Sequence, residues 1–224
     1  MNQYSQQQSG SMIFVILIAV AMLAALTYTV MNNNSQSGDI TDEKLIIYST
    51  EIEQYGSELT QAVQIILDNG MSESDISFAH ANAPSSYGDE TSIPTTHQIF
   101  SVDGGQAGYR TPNADISSAN HWEFYGESAM PYVGSERADL IAVLPNVTQT
   151  FCDVFNKRQD LENSGTYPTD TGTCFKANNS ERFDGDFNDT PNTLSLTNFP
   201  DTPTFQACVQ CGSEYHIYSV IYSR

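Results

Sequence analysis

Met12 to Met31 reads MIFVILIAVAMLAALTYTVM, an apolar run broken only by Thr27, Tyr28 and Thr29 and free of charge. As a helix rising 1.5 Å per residue, a segment of this length matches a hydrocarbon core of about 30 Å, and a helix satisfies its own backbone there. The run predicts a transmembrane helix over 12–31. It divides the chain into a polar leader or cytoplasmic tail over 1–11, the helix, a polar linker over 32–40 and an extracytoplasmic domain over 41–224. A cleaved secretory signal would want a basic front, a shorter apolar stretch and a small-x-small site, whereas MNQYSQQQSGS carries no basic residue. The first basic residue is Lys44, so the positive-inside rule does not orient the helix. Four cysteines and the bulk of the chain lie C-terminal to it, which places that side in an oxidising compartment.

Every charged residue lies at Asp39 or beyond, with 8 Lys plus Arg against 27 Asp plus Glu. Such a surface repels phosphate, which excludes nucleic acid as a partner and disfavours direct adhesion to anionic lipid head groups. The hydrophobic fraction of 39% and aromatic fraction of 11% are enough for a folded core.

The segment QQQSGSMIFVILIAVAMLAALTYTVMNNN resembles the N-terminus of type IV pilin-like proteins, the pilins and pseudopilins of pili and type II secretion. The resemblance covers the first third of the chain. It implies a peptidase cut after Gly10, a mature chain beginning at Ser11, and an apolar helix that first anchors the subunit and later packs in a filament core. The family's Glu at the fifth mature position falls here on Val15, and the leader lacks the usual basic residues. Together with NGMSESDISF, the anchor is also similar to uncharacterised alphaproteobacterial single-span membrane proteins, a group that implies no activity.

After the linker, Leu45, Tyr48, Ile52, Tyr55, Leu59, Ala62 and Ile66 recur at spacings of three and four. They predict an amphipathic helix capped by Asp39 or Thr41, running to about Asn69 and stopped at Gly70. Gly56 within it marks either a close approach or a tolerated cost of about 1 kcal/mol in helix propensity. Strands are predicted at His97 to Val102, His121 to Tyr125, Asp139 to Leu144 and Glu214 to Tyr222, with a turn at Asp103-Gly104-Gly105. A short helix is predicted from Thr148 to about Gln159, capped by Asn146 or Thr148. The expected fold class is α+β: an N-terminal transmembrane helix, then a long amphipathic helix packed on an antiparallel sheet, pilin-like in plan.

Cys152, Cys174, Cys208 and Cys211 predict disulfides. Three connectivities are open, and proximity in sequence favours Cys152 with Cys174 and Cys208 with Cys211. A redox or zinc role for the CxxC at Cys208 to Cys211 is disfavoured, because it precedes a strand rather than opening a helix and no second close pair exists. Asp184, Asp186, Asn188 and Asp189 alternate oxygen ligands as the start of a calcium loop does. The sixth-position glycine and twelfth-position Glu of an EF-hand are absent, so a solvated acidic loop competes with a calcium site. His80, His97, His121 and His216 are scattered, and no catalytic or nucleotide-binding fingerprint occurs. No enzymatic activity is expected, and no cofactor beyond calcium.

The expected function is a structural, pilin-like or pseudopilin-like subunit of a cell-envelope filament or secretion apparatus. The expected location is the bacterial inner membrane, single-pass, with self-association or other envelope subunits as partners beside the lipid bilayer. Ala19, Ala21, Ala24 and Ala25 would permit close helix approach. The competing reading is a membrane-tethered extracytoplasmic binding or adhesion domain that never joins a filament. An extracytoplasmic hydrolase or thiol enzyme is the third.

Overall fold

The computed structural model describes residues 14–24, 37–161, 168–170, 172, 174–175, 182–195, 199 and 201–224. The chain divides into two compact units, Met1–Lys44 and Leu45–Arg224. Residues 14–24 form helix α1, and α2 spans Ser37–Asp68. Three further turns of 3₁₀ helix precede strand β1 (Glu123–Ala129) and β2 (Asp139–Val147). Helix α3 (Gln149–Arg158), β3 (Thr169–Asp170), β4 (Asn192–Thr193), β5 (Gln206–Cys211) and β6 (Glu214–Tyr222) complete the order.

The six strands form one sheet in the order β3-β5-β6-β2-β1-β4. Its central pairs, β5 with β6, β6 with β2 and β2 with β1, are antiparallel, while β3 on β5 and β4 on β1 are parallel. The expected architecture is therefore corrected on two counts. The sheet is mixed rather than antiparallel, because two-residue strands from the polar stretches after α3 return alongside its edges. Among the described residues no helix is long and apolar enough to cross a membrane. Residues 12–13 and 25–31 of the expected span lie outside the described residues. The single-pass inner-membrane placement is corrected with it.

Both faces of the sheet are buried, which is why β2 reads as a continuous apolar run, LIAVL, rather than an alternating one. Leu140, Ala142 and Leu144 share one core cluster with Ile217, Phe124, Phe151 and Phe155. Leu45, Ile52, Tyr55, Leu59, Ala62, Val63 and Ile66 of α2 belong to the same cluster. Ile141, Val143, Tyr218, Val220, Ala207 and Val209 join a second cluster with Met130, Leu161, Phe175, Leu194 and Phe199. Gly56 marks a close approach: a Cβ there would lie 2.8 Å from Ser219 Oγ and 3.0 Å from Ser219 Cβ on β6.

The strand expected over His97 to Val102 does not form. Gly105 N–H donates to Gln98 O (3.0 Å) and Ala107 N–H to Ile99 O (3.0 Å), so the chain doubles back on itself instead of joining the sheet. A Cβ at Gly105 would sit 2.7 Å from Ile99 O, so the fold-back requires glycine. Strand β5 (Gln206–Cys211), by contrast, forms where no strand is expected from the sequence. It pairs with β6 through a two-residue loop, Gly212-Ser213, in which Gly212 takes φ +64°, the glycine-serine hairpin signal that the sequence carries.

Candidate functional site

The leader residues Gly10 and Ser11 lie outside the described residues. The described part of the apolar run, α1, holds Phe14 (64% exposed), Leu17 (61%) and Met22 (64%) in solvent, with Val15, Ile16 and Val20 nearly as exposed. Apolar side chains face outward around the helix, whereas a surface helix of a globular domain keeps one polar face. Exposed apolar area of this kind signals an interaction surface rather than ordinary surface scatter.

The four cysteines form two disulfides, Cys152–Cys208 with Cα atoms 5.4 Å apart and Cys174–Cys211 with Cα atoms 5.9 Å apart. The proximity pairing is corrected, and the reason is the strand itself. Cys208 and Cys211 lie three positions apart in β5, so they face opposite sides of the sheet and sit about 10 Å apart along it. Cys208 reaches Cys152 on α3 in the first core cluster, while Cys211 packs against the second, where Cys174 lies. The two bonds staple opposite faces of one strand. Asn156 reinforces the first: its Nδ2 donates to Cys208 O (2.9 Å), and Cys208 N–H donates to its Oδ1 (2.7 Å), all buried. A side chain of α3 thus hydrogen-bonds the strand edge as a neighbouring strand would. Two disulfides suit an oxidising, extracytoplasmic compartment.

Of the calcium candidates, Asn188 is committed elsewhere. Its Oδ1 accepts from Thr190 N–H (2.9 Å), its Nδ2 donates to Glu127 Oε2 (2.9 Å), and its N–H donates to Gly126 O (3.0 Å). It fastens residues 184–190 along β1. Asp184, Asp186 and Asp189 are all exposed beside it. Among the described residues no three His, Cys, Asp or Glu side chains are grouped to hold a metal ion.

Two arrangements escaped sequence reasoning. The first is a half-buried polar cluster on β1. Arg182 Nη2 donates to His121 Nε2 (3.0 Å) and to Glu123 Oε1 (3.1 Å), and the Tyr125 hydroxyl donates to Glu123 Oε2 (2.5 Å). Burial first, and the adjacent Arg182 charge second, hold the His121 imidazole below its ordinary value, so it accepts from the guanidinium as a neutral base. Among the described residues Arg182 Nη1 is buried with no hydrogen-bond partner, but Cζ lies 5.5 Å from the centre of the Tyr87 ring, whose face takes up part of the charge. Burial pushes the Tyr87 hydroxyl up to about 12. These groups bind one another and, through Phe183 N–H donating to Phe124 O (2.8 Å), clasp the 182–183 backbone to β1.

The second is a cleft of about 620 Å³ between α2, the end of α3 and the start of β5, floored by Val220 and Leu161. Phe205 stands exposed on its rim. Glu53 is neutralised there by Arg158, whose Nε and Nη2 donate to its two oxygens at 3.0 Å each, and by Gln159 Nε2 (3.1 Å). Asp160 lines the same cleft at φ +55°. Sequence offers no signal for either arrangement, since their members are scattered along the chain and lie in unremarkable polar stretches. No protein-family profile, curated protein or solved structure matches this chain.

Proposed function

We propose that the chain is a structural subunit, pilin-like or pseudopilin-like, of a cell-envelope filament or secretion apparatus, in which α1 is the assembly element. The observation that carries the reading is the exposure of Phe14, Val15, Ile16, Leu17, Val20 and Met22 on a helix with no charged residue. Covering this surface with the equivalent helices of other subunits removes apolar area from water at roughly 25 cal/mol per Å². Ala19 and Ala21 lie on the same helix and let neighbours approach closely. Charge is partitioned to suit such an assembly: residues 1–38 carry no charged side chain, so the net −19 of the chain resides in residues 39–224. The disulfide-stapled unit is then the part displayed in the oxidising compartment.

Placing a photoreactive phenylalanine analogue at Ile16 or Leu17 of the full chain in its native host tests the assignment. Adducts with a second copy or with another envelope subunit are expected, together with an intact mass that begins at Ser11. Adducts with lipid alone would overturn it.

A further inference from the structure

The cleft beside Phe205 has a chemical character of its own, independent of α1. Three of the hydroxyls that line it are oriented as acceptors, because their protons are already used on backbone: Ser57 Oγ donates to Glu53 O (3.1 Å), Thr60 Oγ1 to Gly56 O (2.9 Å) and Thr204 Oγ1 to Thr202 O (3.2 Å). Lone pairs are what remain for a guest. No Lys, Arg or His is among the described residues that line the cleft, and Glu53 is spent on Arg158 and Gln159. Among the described residues, Asp160 is therefore the charge lining the cleft that no cation offsets.

Asp160 is also placed against its local preferences. It succeeds α3 at the position where the helix closes, with Leu161 N–H donating to Asn156 O (2.9 Å) and its own N–H to Lys157 O (3.3 Å). Glycine ordinarily fills this left-handed position, and a carboxylate at the negative end of the helix is disfavoured electrostatically. The same helix end adds its carbonyl dipoles to the negative potential of the cleft. An exposed aromatic face, outward-facing acceptors, a carboxylate and a helix C-terminus all favour one kind of guest, a cation with several donors and a flat face.

We propose that this cleft receives an arginine side chain of a partner protein, its guanidinium over Phe205 and against Asp160. A guanidinium fits better than an ammonium because it stacks on an aromatic ring while its five N–H groups reach separate acceptors. The chain's overall acidity draws a basic partner to the surface, and the cleft supplies the specific seat.

The test is an NMR titration of the full chain with a blocked Gly-Arg-Gly peptide and its lysine and citrulline counterparts, at two salt concentrations. Shifts at Phe205 and Asp160 are expected with arginine, weaker with lysine and absent with citrulline. Asp160→Asn and Phe205→Ala should each weaken binding by about tenfold or more. Glu136→Gln removes the same charge at a different exposed site and should leave affinity within about twofold. Asp160→Asn should melt at the same or a higher temperature, since Asn tolerates the left-handed backbone and relieves the helix end; loss of binding then cannot be unfolding. Equal losses in Glu136→Gln and Asp160→Asn, or no shift at Phe205, would overturn the proposal. The assembly reading is untouched by either result, because the cross-linking reports on α1 alone.

Discussion

Removing the Cys152–Cys208 bond as the double variant Cys152→Ala/Cys208→Ala probes the link between α3 and the centre of the sheet. The bond closes a loop of sequence separation 56, for which the chain-entropy relation gives about −14 cal/mol/K, or about 4 kcal/mol at 25 °C. Both cysteines are fully buried, so replacing their sulfurs with hydrogen adds about 1 kcal/mol for lost packing. A loss of about 4 to 5 kcal/mol is expected in urea unfolding of the non-reduced protein, set against the roughly 5–15 kcal/mol typical of a domain. Free-thiol titration of the unfolded variant reads the connectivity: with Cys174–Cys211 intact it finds no free thiol. Trypsin, cutting after Arg137, Lys157, Arg158, Lys176 and Arg182, should release from the unreduced native chain one covalent species made of residues 138–157, 159–176 and 183–224. Reasoning from the two faces of β5 is refuted if 183–224 is released alone, if two free thiols appear in the variant, or if stability falls by less than about 1 kcal/mol.

Gly56→Ala adds a methyl group 2.8 Å from the buried Ser219 hydroxyl; overpacking of about 1–3 kcal/mol should outweigh the gain of about 1 kcal/mol in helix propensity, giving a lower melting temperature in calorimetry. Asn156→Ala leaves both backbone polar groups of buried Cys208 without their partner and should cost about 2–3 kcal/mol in urea unfolding with both disulfides retained. Asp139 is buried beneath the Met130 and Arg224 N–H groups, and burial raises its pKa above the ordinary carboxylate value. Its charged form is thus the less stable one in the folded protein, so its contribution to stability should rise as pH falls from neutral through the folded pKa. Asp139→Asn should flatten that part of the pH profile of the urea midpoint, and an unchanged slope would count against the assignment.

Local pattern was readable where it had a period to read. The stripe of α2, the Thr148 cap of α3 (its Oγ1 accepts from Phe151 N–H, 3.3 Å) and the aromatic, β-branched run of β6 are set by neighbours three or four positions apart on a helix, or two apart on a strand. The same local signals said nothing of β3 and β4, two polar residues each, whose strand geometry comes only from lying against an existing edge. The His97 to Val102 segment shows the converse, a strand-like composition captured by the glycine fold-back beside it.

What the chain determined by itself is an uncharged apolar N-terminal run, an acidic remainder and an even set of cysteines, because these are properties of composition and order. Whether that run crosses a membrane was not among them: among the described residues no helix is long and apolar enough to do so. Tertiary structure alone decided which cysteines meet, since pairing depends on the face of β5 each occupies and not on their separation in the chain. It also brought Asp160, Phe205 and the hydroxyls of α2 around one cleft. Their distances in sequence leave no trace there, because a cleft arises from the packing of elements and not from the order of the residues that line it.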